Sequence, residues 1–203
     1  MDPERTDFAR GLEQANCGAQ QLKAGFVLPS KSLARIDMQK RSEDHNVPTI
    51  GMEALGRSSW RLTTQVVLPK PRNEVFPFFA DAGNLEKLTP EFLNFRILTP
   101  LPIEMKQGAR IDYKIRLRGI PIRWRTNISV WQPNERFVDE QIRGPYRQWH
   151  HEHIFEDQGD QTLMTDIVNY RVWFGTILHP LMVEKDLQRI FGYRQNKIVE
   201  LFS

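Results

Sequence analysis

Hydrophobic and polar residues are unevenly patterned along this chain, and the change of pattern falls near Arg57. Beyond it, "SWRLTTQVVLP" (59–69) alternates and is rich in β-branched residues, which predicts a strand. Pro69 and Pro71 end that strand, and Pro71 suits the first turn of a helix. "NEVFPFFADAGNLEKLTPEFL" (73–93) predicts two short helices separated by a turn at 81–84, the first shortened or kinked by Pro77. Further strands are expected at "FRILTP" (95–100), "ARIDYKIRLRG" (109–119), "IPIRWRTNISVW" (120–131), "RFVDEQIRG" (136–144), "YRQWHHEHIFED" (146–157) and "TLMTDIVNYRVWF" (162–174). The alternation is cleanest at 109–119, where Ile111, Tyr113, Ile115 and Leu117 share one face and charged residues fill the other. Residues 176–202 predict a long helix whose inner stripe is Leu187, Ile190, Phe191, Arg194, Ile198 and Leu201, with Gln188 and Gln195 on the polar face.

This order implies an α+β fold. A seven-stranded antiparallel sheet has one apolar face to bury, and the C-terminal helix carries the matching stripe. A sheet curled around one helix leaves a hollow where its inward side chains are large but sparse, which invites a ligand.

Residues 1–57 lack such patterning, and eight basic residues balance eight acidic ones. They read as a flexible extension with a short helix near 8–14, or alternatively as residues preceding a native start at Met52, so that the folded domain spans 58–203. The bulk composition, 40% hydrophobic and 26% charged among 203 residues, is that of a globular protein. A net charge of +3 with no long basic run argues against nucleic acid as a partner. Arg116, Arg118, Arg123 and Arg125 fall near one hairpin tip on the outward face, where no aromatic residue interleaves them, and predict a solvated surface. The single Cys17 excludes an internal disulfide. No apolar run reaches membrane-spanning length, so the expectation is a cytoplasmic protein without integral membrane association.

The segments "NLEKLTPEFLNFRILTPLPIEMKQGARIDYKIRLRGIPIRWRT", "RFVDEQIRGPYRQWHHEHIF", "MTDIVNY" and "RIFGYR", taken with the element order, resemble the SRPBCC or START-like helix-grip superfamily. The resemblance is nearest to bacterial ligand-binding members related to polyketide cyclase/dehydrase and coenzyme-Q-binding domains. It runs from about Trp60 to Phe202. It implies a hydrophobic-ligand pocket between sheet and long helix and no shared catalytic motif, since the superfamily mixes binders, carriers and enzymes. The extension and Pro77 depart from its pattern.

"WHHEHIF" (149–155) holds three of the chain's five histidines. On a strand, Trp149, His151, His153 and Phe155 share a face, and the two aromatics favour the inside. A turn centred on Gln158–Gly159 sets His151 opposite Asp166 and His153 opposite Met164. Three readings follow. His151 and His153 could ligate a metal with Asp139 or Asp166; His151 could act as a general acid or base oriented by Asp166; or His151, Asp166, Asp139, Gln141 and Tyr170 could form a polar network in the pocket wall. The network reading is preferred, because no further histidine closes a metal shell and neither a nucleophile nor an oxyanion donor is evident. No metal or cofactor is therefore assigned. Tyr113, Ile115, Trp124, Phe137, Trp149 and Phe191 are the expected apolar wall, and His153 joins the polar end.

The function expected is binding or transport of a small hydrophobic molecule such as a lipid, quinone or polyketide-like aromatic. The alternative is a cyclase or dehydratase using a His151–Asp166 acid–base pair. A third possibility is a regulatory module read by a protein partner and tethered by the extension.

Overall fold

A computed structural model describes residues 48–203. Its core is one antiparallel sheet. The strands are β1 (Thr49–Gly56), β2 (Ser59–Leu68), β3 (Arg96–Ile97), β4 (Arg110–Leu117), β5 (Ile120–Gln132), β6 (Arg136–Arg143), β7 (Gln148–Asp157) and β8 (Thr162–Arg171). Their spatial order is β1-β2-β8-β7-β6-β5-β4-β3. Helix α1 (Arg72–Ala80) follows β2, and α2 (Gly175–Leu178), a π turn (His179–Val183) and α3 (Glu184–Phe202) follow β8.

The sheet has eight strands, one more than the alternation predicts, and the extra one is β1. It lies inside residues 1–57, the segment expected to be a flexible extension; the expected helix at 8–14 and Cys17 fall outside the described residues. β1 is an edge strand, mostly exposed, held by its backbone ladder to β2 from Thr49↔Gln65 to Gly56↔Ser59. Such a strand needs no alternating apolar face and leaves little trace in hydrophobicity.

The second short helix is replaced by two 3-10 turns, Ala82–Leu85 and Glu91–Leu93. Asp81 caps the first by accepting from the Gly83 N–H at 2.8 Å, and Pro90 opens the second. The expected strand at 95–100 shrinks to two residues, with Leu98 and Thr99 N–H both directed to the Asp112 carbonyl oxygen. Pro77 lies within α1, which still reaches Ala80. The β4–β5 hairpin turns through Arg118 and Gly119, both at positive φ, a conformation glycine adopts freely.

The C-terminal helix widens into the π turn around Pro180, which has no N–H to give to an α ladder. Its start is crowded. A Cβ on Gly175 would come within 2.5 Å of the Trp60 ring. On α3, Leu187, Phe191, Arg194 and Ile198 are buried as the stripe predicts, but Gln195, expected on the polar face, is buried as well.

Two apolar clusters hold the layers together. One joins Val66, Leu68, Val75, Phe76, Phe79, Phe155, Met164 and Ile198. The other joins Trp60, Leu62, Val168, Tyr170, Leu187 and Phe191. At ~1.5–3 kcal/mol for each fully buried large apolar side chain, these clusters are the main driving force for docking the helix.

Candidate ligand cavity

Between α3 and the β4–β7 half of the sheet lies a cavity of about 400 Å³. Alternation aims Ile111, Tyr113, Ile115 and Leu117 of β4 into it, with Trp124, Thr126 and Ile128 of β5, Phe137 of β6 and Trp149 of β7. Leu187, Ile190 and Phe191 face them from α3. The wall reaches the surface at Asp81, beside the short helical segment, and at Trp173, which is 57% exposed. Trp124 packs between the Tyr113 ring, stacked at 5.8 Å, and the Trp149 ring, edge-on at 5.5 Å. Its indole N–H is buried and has no partner among the described residues. Burial raises the Tyr113 hydroxyl well above its ordinary pKa, and the charge of Asp139 adds to that, so it stays a neutral donor.

The polar end is built on neighbouring strands. Asp139 of β6 pairs in register with His151 of β7, and His153 of β7 pairs with Asp166 of β8. The β7–β8 register therefore differs by two residues from the expected one, and His151 stands opposite Val168. The loop is longer than expected: Asp157 pairs with Thr162, Gly159 takes positive φ, and its N–H donates to Asp157 Oδ1. A shift of two keeps every side chain on its face, so the same groups still meet.

His153 Nε2 is 3.0 Å from Asp139 Oδ2, and its Nδ1 is 2.7 Å from Asp166 Oδ1. His151 places Nδ1 3.4 Å from Asp139 Oδ2 and Nε2 3.4 Å from Asp166 Oδ1. The contacts to Asp166 Oδ1 are off the ring N–H axes, leaving that oxygen without an in-line donor among the described residues. The two imidazoles lie close together, 3.8 Å between centroids and tilted by 39°, between two carboxylates. Behind them, Arg194 Nε donates to Asp166 Oδ2 at 3.4 Å. Thr64 reaches the same oxygen at 3.4 Å while accepting from Gln195 Nε2 at 2.6 Å.

Burial by itself would raise both carboxyls. The Arg194 charge and the histidines instead hold Asp166 well below the ordinary range, and the His151 charge and the His153 contact lower Asp139. Burial lowers the His151 pKa, and the neighbouring His153 charge lowers it further. For His153 burial acts downward too, but the Asp166 charge and the contacts with both carboxylates raise it. Two carboxylates against one guanidinium leave one negative charge, so one proton shared by the imidazole pair makes the cluster neutral.

The structure brings most of the expected residues together. Tyr113, Ile115, Trp124, Phe137, Asp139, Trp149, His151, His153 and Phe191 all line the cavity. Asp166, Gln141 and Tyr170 do not. Asp166 is fully buried behind the histidines. Gln141 clips the following loop, donating to the Tyr146 carbonyl oxygen at 2.7 Å. The Tyr170 hydroxyl lies 2.7 Å from His179 Nε2, in a stack where His179 covers Trp60 at 3.9 Å. Arg194 and Thr64 belong to the polar cluster although sequence reasoning assigned them no role. An arginine spaced onto a buried helical stripe was the available signal, since a charge there needs a partner. The hairpin arginines are exposed, as expected, and two are paired: Arg125 grips Asp112 at 2.7 and 2.9 Å, and Arg118 grips Asp186 of α3 at 2.8 and 3.0 Å.

No protein-family model and no curated protein matches the chain. Among solved structures, the Zhui aromatase/cyclase from Streptomyces sp. R1128 aligns with a TM-score of 0.55 at 14% identity, over 74% of this chain and 93% of that one. The major latex-like protein 151 from Panax ginseng aligns at 0.54 and 10% identity, over 72% and 99%. A nucleoside-diphosphate sugar epimerase from Corynebacterium glutamicum aligns at 0.50 and 28% identity, over 68% of this chain but 28% of that longer one. The chain has the helix-grip fold, and its structural neighbours are of the SRPBCC type. Among the described residues, no helix is long and apolar enough to cross a membrane.

Proposed function

We propose that this protein binds a small hydrophobic molecule carrying one polar end, as a carrier or sequestering protein. The observation that supports this reading is a hollow of about 400 Å³ with aromatic and aliphatic walls and polar groups gathered at Asp139, His151 and His153. A volume of that size suits a ligand of drug-like dimensions. Apolar contact with the walls supplies affinity at ~25 cal/mol per Å². Tyr113, His151 and the buried Trp124 N–H orient the polar end. Lipids, quinones and polyketide-like aromatics fit this description.

Native mass spectrometry of the full chain from its own host is expected to reveal a bound molecule. In vitro, anilinonaphthalene sulfonate is expected to bind saturably and to lose at least about tenfold in affinity, ~1.4 kcal/mol, in Ile115→Trp, which fills the hollow. Equal binding by both proteins would set the reading aside.

A second reading is a cyclase or dehydratase-type enzyme. The observation favouring it is that His151 stands on the cavity wall with Asp166 3.4 Å behind it. Under that reading His151→Ala abolishes turnover of an identified ligand while affinity is retained.

A further inference from the structure

The polar end has a geometry that anchoring a ligand does not require. We propose that Asp139, His151 and His153 form a binding site for one divalent first-row transition ion, set in the cavity wall.

Three potential donors lie close together. Asp139 Oδ2 is 3.4 Å from His151 Nδ1 and 3.0 Å from His153 Nε2, and the three donor atoms all lie within 4.8 Å of one another. A tetrahedral ion with bonds of ~2.0–2.1 Å separates its ligands by roughly 3.3 Å, which two of the three separations already approach; the ion would replace the His153–Asp139 hydrogen bond. The donors stand on two adjacent strands in direct register rather than on a loop, which limits the cost of organising them.

The opposite ring nitrogens supply the second argument. His151 Nε2 and His153 Nδ1 lie 3.4 and 2.7 Å from Asp166 Oδ1, off the ring N–H axes, so Asp166 supports both rings by its charge and would hydrogen-bond to them after a ring rotation. A carboxylate behind each metal-binding imidazole is the usual arrangement, because it fixes the ring and raises its basicity. Arg194 donates to the other Asp166 oxygen at 3.4 Å, which holds Asp166 in that supporting position, and its terminal nitrogen also reaches His153 Nδ1 at 3.5 Å.

Access and charge agree with this. Asp139, His151 and His153 line the cavity whereas Asp166 does not, so an ion on the three would keep an open position toward the hollow. With neutral imidazoles the cluster carries one net negative charge, which attracts a cation; a divalent ion in place of the shared proton leaves the cluster with one net positive charge. Two imidazoles and one carboxylate suit zinc, cobalt or iron(II); magnesium and calcium call for oxygen donors that are missing here.

The test uses the full chain stripped with EDTA. Zinc is titrated against a chromophoric chelator, and cobalt(II) is followed by its visible ligand-field bands. The expected result is one tight zinc per chain, a zinc-dependent rise in Tm, and cobalt bands of a low-coordinate nitrogen–oxygen site. Asp166→Asn is expected to weaken zinc roughly 10–100-fold. His151→Ala and the isosteric Asp139→Asn, checked for folding by circular dichroism, are expected to weaken it further. His150→Ala, whose ring faces the other way onto Glu140, is the control and is expected to change nothing. The proposal is overturned if the wild-type chain shows neither saturable zinc uptake nor cobalt bands, a result independent of any variant's folding. It is equally overturned if zinc binds undiminished to folded His151→Ala and Asp139→Asn.

Discussion

The two halves of the sheet use the same alternation to opposite ends. In β2 and β8, the inward residues Leu62, Val66, Met164 and Val168 are buried in clusters that include Leu187, Phe191 and Ile198 of α3, and no residue of either strand lines the cavity. In β4 and β5, Ile111, Tyr113, Ile115, Trp124 and Ile128 have the same pattern and size, yet they face the hollow. Inward polarity thus specifies a face but not what fills the space above it. What differs is the distance to the helix: α3 packs directly on the β1–β2 side and faces β4 and β5 only across the hollow. The polar cluster sits at the seam, with Asp166 on the packed side, Asp139 on the open one, and Arg194 bridging to Asp166 from the cavity wall.

The contrast can be broken experimentally. The largest effect is expected at the seam. Asp166→Ala strands Arg194 as an uncompensated buried charge and is expected to cost about 3–5 kcal/mol in urea unfolding, whereas adding Arg194→Met should restore much of it. A double variant as unstable as the single one would mean that the ion pair is not the cause. Next is the packed half. Leu62, with no exposed surface, is expected to lose about 2–5 kcal/mol as Leu62→Ala. On the open half, Ile115→Ala removes atoms already beside a void and is expected to cost less than about 1.5 kcal/mol, while altering apolar-probe affinity. Equal losses at the two positions would dissolve the distinction between the halves.

The smallest effect is a pH dependence on the packed side. His179 is stacked on Trp60, close to the Tyr170 hydroxyl and 4.0 Å from Glu184. Burial lowers its pKa, and the Glu184 charge only partly opposes this. Above about 6.5 the ring is neutral both folded and unfolded, and its contribution is complete. As pH falls below that value, the unfolded chain takes up the proton first and stability declines. His179→Phe is expected to flatten this slope in thermal melts; an unchanged slope would assign it to other groups.

Much of the architecture was legible before any coordinates. The period-two pattern located six long strands and their inward faces, and a 3.6-residue stripe located α3. Even the mistaken register at β7–β8 left His151, His153 and Asp166 on one face, because a slip of two preserves sidedness. Where local pattern carries no energy the reading failed: at β1, whose stabilisation is backbone pairing with β2, and at the second short helix, which the chain replaces with 3-10 turns. Gln195 looked like a surface residue because its buried partner, Thr64, is 131 positions away.

By itself, then, the chain's alternation determined which residues point inward and that polar ones lie among them, since side-chain direction follows from backbone period alone. Only the tertiary structure decided that Asp139 and Asp166 clasp both histidines, that Arg194 closes the far side, and that a hollow remains in front. Those outcomes depend on distances between strands and helix that are set by how the whole core packs, and no local pattern encodes them.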